Sequence, residues 1–340
     1  MGAAARMLAL SARSTHMGSM AIPRSRIELI DLARGIALLA MAVYHFAWDL
    51  EFFGYADPGM TAVGGWKIFA RCIASTFLAL VGISLFLSHG NGIRWTGFWR
   101  RLGMIVAAAA AITVATYIAT PDFFIFFGIL HQIAFASVAG LLFLRFPAWA
   151  NILVAAAVIA LPNVYTTPLL DGWWGWWTGL SEIRPRSSDF VPVFPYFGAV
   201  VAGIAMAQIA SRAGTLDRLA AIHPGRWSRP LLFAGRHSLA VYLIHQPVLI
   251  AGLWLYAQVA PAQIDQPARF VSTCERTCQA DRDDAFCTAY CGCMLGRIAD
   301  EGRLEEAFST APSEAFRATV REMAAACSAE TDAAVPGGDQ

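Results

Sequence analysis

The chain has 340 residues, 57% of them apolar and only 14% charged, against roughly 45 to 50% apolar and about 25% charged in an ordinary soluble domain. That shortage of charge points to a bilayer as solvent, and a formal net charge of +1 with no basic, aromatic-interleaved stripe gives no footing to nucleic-acid binding. The acid is concentrated beyond residue 260, where fourteen Asp and Glu accompany seven Arg and no Lys.

Residues 1–23 scatter Arg6 and Arg13 among small residues, with further methionines at Met17 and Met20. The apolar run MLAL is too short for the core of a signal peptide, so this stretch is expected to be a disordered extension. Residues 24–262 form the main domain. Seven stretches within it, near 29–48, 66–88, 101–120, 123–144, 148–165, 191–210 and 236–260, are apolar enough to cross roughly 30 Å of hydrocarbon as helices. Pro162 and Asn163 cut the fifth short. The predicted fold is therefore all-α, a polytopic transmembrane helix bundle.

Orientation follows from the short loops. One side carries Arg24, Arg26, Arg94, Arg100, Arg101, Arg145, Arg212, Arg218, Arg226 and Arg229, and the other only Lys67, Arg71, Arg184 and Arg186. This places the N-terminus inside and the C-terminus outside. The outer loop 163–191 contains DGWWGWWTG, which reads either as an interfacial aromatic belt or as a sugar-stacking platform.

Residues 263–340 form an acidic, cysteine-rich tail. Cys274, Cys278, Cys287 and Cys291 make two C-x3-C pairs, and residues four apart share one face of a helix. Two short antiparallel helices could thus be stapled by Cys274–Cys291 and Cys278–Cys287, leaving Cys293 and Cys327 for a third bridge. Six cysteines formally allow 15 pairings. Disulfides agree with an extracytoplasmic tail; a zinc site is the competing reading, but no His accompanies the cysteines. Cys72, in the second span, is expected to be an inert core thiol.

The first span, IELIDLARGIALLAMAVYHFAWDL, holds more ionisable groups than lipid tolerates, and such groups normally face a protein interior or aqueous cavity. At 100° per residue Arg34 and His45 differ by only about 20° around the helix, Asp31 lies within about 60° of Arg34, and Asp49 is one turn past His45. His45 is the candidate general base, with Asp49 at i+4 to orient it. Arg34, beside Asp31, is the candidate phosphate ligand, although Asp31 and Arg34 also read as a structural ion pair. His131 in FFGILHQIAFAS and His245 with Tyr242 in GRHSLAVYLIHQPVL are further candidates, as sites or as interhelical packing. Neither a phosphate-binding glycine loop nor a His-Glu-x-x-His zinc signature is present, so no metal is expected.

The stretches RIELIDLARGIALLAMAVYH, FFGILHQIAFASVAGLLF, DFVPVFPYFGAVVAGIAMA and GRHSLAVYLIHQPVL, in this order, resemble the bacterial relatives of the heparan-alpha-glucosaminide N-acetyltransferase catalytic domain, within the transmembrane acyltransferase superfamily. The resemblance covers about residues 24–260. It implies transfer of acetyl from cytoplasmic acetyl-CoA, as co-substrate, to an amino sugar or other glycan outside, in a multi-pass protein of the bacterial inner membrane with a periplasmic tail. The superfamily's first-span Arg and His fall on Arg34 and His45, which the resemblance assigns to CoA engagement and catalysis. The animal heparan enzyme keeps its catalytic His in the loop after the first span, where this chain has none before His89, so His45 would substitute. Direct attack and an acyl-histidine intermediate both fit. The alternatives are a solute carrier or channel using the same polar stripe, and a membrane-anchored assembly subunit whose stapled tail binds a protein partner.

Overall fold

A computed structural model describes residues 26–183, 185–262, 265–279, 282–309 and 312–334. The expected extension 1–23, Arg24 and Arg184 lie outside them. The described residues form helices, turns and irregular segments, with no strand among them.

Five helices are long and apolar enough to span a bilayer: α1 (Glu28–Phe52), α2 (Gly64–His89), α3 (Trp95–Ala119), α6 (Val193–Arg212) and α9 (Ser238–Val259). The shortest of these, at 20 residues, is about 30 Å long. The fourth and fifth expected spans are shorter. α4 (Ile129–Phe143) has 15 residues, and α5 (Ala148–Ala160) has 13 before a 3-10 turn through Pro162. The segment before α4, expected to be helical from residue 123, is instead extended and pairs with residues 188–191, through Ser188 N–H to Phe123 O (3.0 Å) and Val191 N–H to Phe127 O (3.1 Å). Gly128 ends this extended run, and α4 starts after it.

Small residues let the helix backbones touch. A Cβ added at Gly82 of α2 would stand 2.0 Å from the Val200 carbonyl of α6, and one at Gly203 would stand 2.1 Å from the Ala79 carbonyl. This is the close small-residue packing that replaces hydrophobic driving force in lipid. Leu78, Ala136, Val200 and Val201 are fully buried where α2, α4 and α6 meet. Polar glue sits at the α4–α5 turn, where Asn151 donates to Phe143 O (3.0 Å) and to Gln208 Oε1 (3.1 Å), and Gln208 donates to Phe146 O (2.9 Å). These bonds satisfy carbonyls that the end of α4 leaves open.

The connection from α6 to α9 carries α7 (Thr215–Ala220) and α8 (Arg229–Arg236). α8 lies against the first half of α1, with Gly235 and Gly35 so close to the Asp31 and Leu231 carbonyls that no side chain fits at either position. The Arg236 bond to Glu28 (2.8 Å) fixes one end of α1. At the opposite end Gln246 of α9 reaches Asp49 (2.7 Å) and the Tyr55 hydroxyl bonds Ala260 O. α1 and α9 therefore run in the same direction, with the arginines of α1 and α3 at one end and His45 further toward the other.

The tail folds as α10 (Gln266–Cys278), α11 (Asp284–Asp300), α12 (Leu304–Ala307) and α13 (Glu314–Ala334), two helices more than the two expected. Cys274–Cys291 and Cys278–Cys287 join α10 to α11, and Cys293–Cys327 joins α11 to α13, the pairing that the C-x3-C ladders favoured. With the six cysteines bonded in pairs, no thiolate is left for zinc. Asp265 and Asp283 cap α10 and α11 through bonds from Ala268 N–H (3.0 Å) and Phe286 N–H (2.8 Å). Cys72 departs from expectation: α2 turns Ile73, Ala74 and Leu78 inward, which leaves Cys72 exposed on the opposite face.

Candidate active site

At the arginine end, Asp31 is 2% exposed and accepts from Arg26 (2.6 Å) and Arg34 (2.9 Å), with Arg236 at 3.8 Å. The other terminal nitrogen of Arg34 donates to the Ser84 hydroxyl of α2, which itself donates to Leu80 O (2.5 Å). Arg34 is thereby locked between two helices, and Asp31 acts as its holder. A cavity of about 400 Å³ opens here, lined by Arg26, Asp31, Arg34, Arg94, Arg101 and Asp217 among others. Four guanidinium groups face two carboxylates, and neither Arg94 nor Arg101 makes an ion pair among the described residues. The surplus is positive and suits phosphate, which guanidinium binds bidentately.

A second cavity, of about 510 Å³, shares Arg34 and Arg101 with the first and continues along Leu38, Phe77, Ile105 and Ile133 to Tyr242. The polar mouth thus leads into an apolar passage. Tyr242 lies at its lining, with its ring 5.7 Å from that of His245.

Beyond Tyr242, His45 of α1 and His245 of α9 meet edge to face, 5.1 Å between ring centroids. The sequence stripe placed His45 about 16 Å along α1 from Arg34; folding adds His245 from a helix 200 positions away. Tyr242 O lies 2.6 Å from His245 Nδ1. A carbonyl oxygen only accepts, so Nδ1 carries the proton in the neutral ring and Nε2 holds a lone pair. Nε2 is buried and has no partner among the described residues. Asp49, fully buried, was expected to orient His45, but its Oδ1 accepts instead from Gln246 Nε2 (2.7 Å). One helical turn brings Asp49 to the α9 side of α1, where an amide reaches it before the imidazole of its own helix.

His131 is engaged on both nitrogens. Nδ1 accepts from Gly128 N–H (3.2 Å) at the start of α4, and Nε2 lies 3.2 Å from the Thr113 hydroxyl of α3, which donates to Ile125 O (2.7 Å). This stitches α3 to α4 and leaves no nitrogen for a substrate. Sequence reasoning passed over Gln246, the neighbour of a candidate histidine, and treated Arg94 and Arg101 only as topology markers. It also passed over Asp189, whose carboxylate accepts from Ile129 N–H (2.9 Å) and caps α4 from 60 positions away. Burial pushes the Asp189 carboxyl up to about 6, against the pull of that N–H.

The family model described as heparan-alpha-glucosaminide N-acetyltransferase, catalytic, matches residues 26–247, from just before α1 through Pro247 within α9, and stops short of the tail. No curated protein and no solved structure matches the chain.

Proposed function

We propose, because this chain belongs to the heparan-alpha-glucosaminide N-acetyltransferase catalytic family and is a membrane acyltransferase, that it moves acetyl from acetyl-CoA to an amino-sugar or other glycan acceptor across the bilayer. The observation that carries this reading is the continuity of the two ends. A cavity with surplus guanidinium charge joins an apolar passage that runs to Tyr242, and behind Tyr242 stand two histidines, one with a free buried lone pair.

Arg34, Arg94 and Arg101 bind the CoA phosphates, and the passage takes the pantetheine arm toward the histidine pair. The acceptor N–H or O–H attacks the thioester carbonyl, so that a C–N or C–O bond forms as the C–S bond breaks. His245 Nε2 takes the acceptor's proton and returns it to the departing sulfur, while His45 donates to the carbonyl oxygen as negative charge develops there. The arginine bias supports an inward-facing donor mouth. The histidine end and the tail then face outward, where disulfides persist.

Calorimetry of the detergent-purified protein with CoA and acetyl-CoA tests the donor half. Arg34→Ala and Arg101→Ala are each expected to weaken binding about 10- to 100-fold, the worth of a hydrogen bond to a charged group. His45→Ala and His245→Ala should keep CoA binding but lose about 10²- to 10⁴-fold in transfer. Undiminished transfer in either histidine variant, or no CoA binding to folded wild type, would overturn the proposal.

A further inference from the structure

The corner between α2 and α3 holds a third cavity, of about 380 Å³, that the acyl-transfer reading leaves unused. On α2 its lining changes from His89 and Ser88 to Leu85 and Val81, and on α3 from Arg94 and Arg101 to Ile105. The short loop 90–94 joins the two helices, so both walls turn apolar in the same direction, away from the arginine end. From His89 to Val81 the wall runs about 12 Å, most of the roughly 15 Å of hydrocarbon in one leaflet. At the polar end Arg94 and Arg101 have no carboxylate among the described lining residues to offset them. His89 Nδ1 accepts from the Arg94 N–H (3.3 Å), so the neutral ring keeps its proton on Nε2 and adds a donor. Deeper in, the Ser137 hydroxyl is spent on Ile133 O (2.7 Å). The rings of Trp95 and Trp99 both lean on Phe98 of the cavity wall and stay exposed, as indoles do at the headgroup level. The complementary ligand is an anion with an apolar chain, and basic pockets between spans take anionic lipid headgroups.

We infer that this groove seats an anionic phospholipid, its phosphate on Arg94, Arg101 and His89 and one acyl chain against Leu85 and Ile105. The site stands on its own lining; one consequence rests on the acyl-transfer reading. Ser88, Arg94 and Arg101 line the donor mouth as well, so the lipid phosphate and the CoA phosphates draw on the same guanidinium groups. A seated lipid therefore lowers the affinity for CoA, and the charge of the surrounding membrane sets how readily the protein loads its donor. A zwitterionic lipid brings a cation to the arginine end along with its phosphate and gains less there. Free phosphate has no chain for the apolar wall. Gly97 lines the groove, and a Cβ added there meets nothing within 4 Å, so a larger side chain fits and takes up space that the lipid would fill.

The test uses the full-length protein in detergent, with phosphatidylglycerol, phosphatidylcholine of the same chains and inorganic phosphate as probes. Native mass spectrometry is expected to show one tightly held phosphatidylglycerol, preferred over phosphatidylcholine by about tenfold or more. Gly97→Leu should lose that lipid severalfold yet bind CoA in lipid-free micelles as wild type does, which a misfolded variant would not. Calorimetry of CoA with wild type, at phosphatidylglycerol about ten times its own Kd, should read a CoA Kd about tenfold higher. Neither Gly97→Leu nor phosphate at the same concentration should show that shift. Equal retention of the two lipids, competition by phosphate alone, or a lipid affinity unchanged in Gly97→Leu overturns the site. Palmitoyl-CoA bound far more tightly than acetyl-CoA by wild type but not by Gly97→Leu would give the groove to the donor's own chain and overturn the lipid assignment. Phosphatidylglycerol that binds as expected without shifting CoA overturns the competition alone. If wild type binds the lipid but no CoA, the acyl-transfer reading falls and the lipid site stands.

Discussion

The Tyr242 carbonyl fixes the tautomer of His245, and with it the side of the ring on which a proton can be received. Nothing in the spacing of Tyr242 and His245 foretold this, because an i, i+3 pair in a span reads equally well as packing. Asp189 offers a second case in which environment sets the chemistry of a single group. Its carboxyl is raised to about 6 by burial, so the fold binds this proton more tightly than the unfolded chain, whose Asp titrates near 4. The stabilising contribution is then fully present below pH 4 and is lost as pH rises through about 6. Asp189→Asn keeps an oxygen for the Ile129 N–H and has no proton to lose. Thermal unfolding from pH 4 to 7 should show wild type losing about 1–3 kcal/mol relative to the Asn variant. Parallel pH profiles for the two proteins would mean that Asp189 binds its proton no more tightly in the folded than in the unfolded chain.

Helices were the most legible level. Composition marks the long spans because twenty apolar residues have no other stable arrangement in lipid, and α1, α2, α3, α6 and α9 lie where hydropathy placed them. The first half of the fourth stretch did not follow, because Phe123 and Phe127 give their carbonyls to the Ser188 and Val191 N–H groups and Ile125 bonds Thr113 and Thr116 of α3, partners that no local pattern reveals. The seat of α8 on α1 was equally hidden, since it depends on Gly35 and Gly235 meeting backbone from a distant helix. The glycines nevertheless sort cleanly by what surrounds them. At Gly82 a new Cβ meets the Val200 carbonyl, which is backbone and cannot swing aside, so Gly82→Ala should cost about 1–3 kcal/mol as α2 and α6 are forced apart. At Gly103 of α3 nothing lies within 4 Å of the added carbon, and Gly103→Ala should leave stability unchanged or raise it by up to about 1 kcal/mol. Unfolding in a mixed-micelle titration compares the pair directly. Equal effects at the two sites would show that α2 and α6 do not pack through their backbones.

For the whole molecule the question is how the tail relates to the helices that carry the chemistry. The disulfide ladder was readable because helical geometry limits which cysteines of two C-x3-C pairs can face each other. The docking of the tail was not, since among the described residues the hydrogen bond that ties it to the helix bundle comes from the Arg276 side chain. The Arg276 guanidinium of α10 donates to the Pro58 carbonyl and lies against Gly59, whose φ of +73° allows the turn to pass beneath it. From the other side the Glu51 carboxylate accepts from the Gly59 N–H, from the Thr61 N–H (3.1 Å) and from the Thr61 hydroxyl (2.8 Å). Tyr44, whose ring stands 5.8 Å from His45, rests its hydroxyl 3.5 Å from Thr61 O. The loop 53–63 is thus clasped between the tail and the helix that bears His45. The tail has its own apolar core of Met294, Ile298, Phe316 and Met323 beside three disulfides, so it should hold its shape when the clasp is opened. Arg276→Ala is accordingly expected to raise amide exchange in residues 53–63 at least tenfold, the effect of losing about 1.5–3 kcal/mol of charge-assisted bonding. Exchange within α11 and α13 should stay at wild-type rates. Reduction of the disulfides should do the reverse first, loosening α10 and α11 by about 2–4 kcal/mol while the long spans remain protected. If Arg276→Ala leaves the loop as protected as in wild type, the α1 side holds it without help and the tail makes no contribution to the shape of loop 53–63.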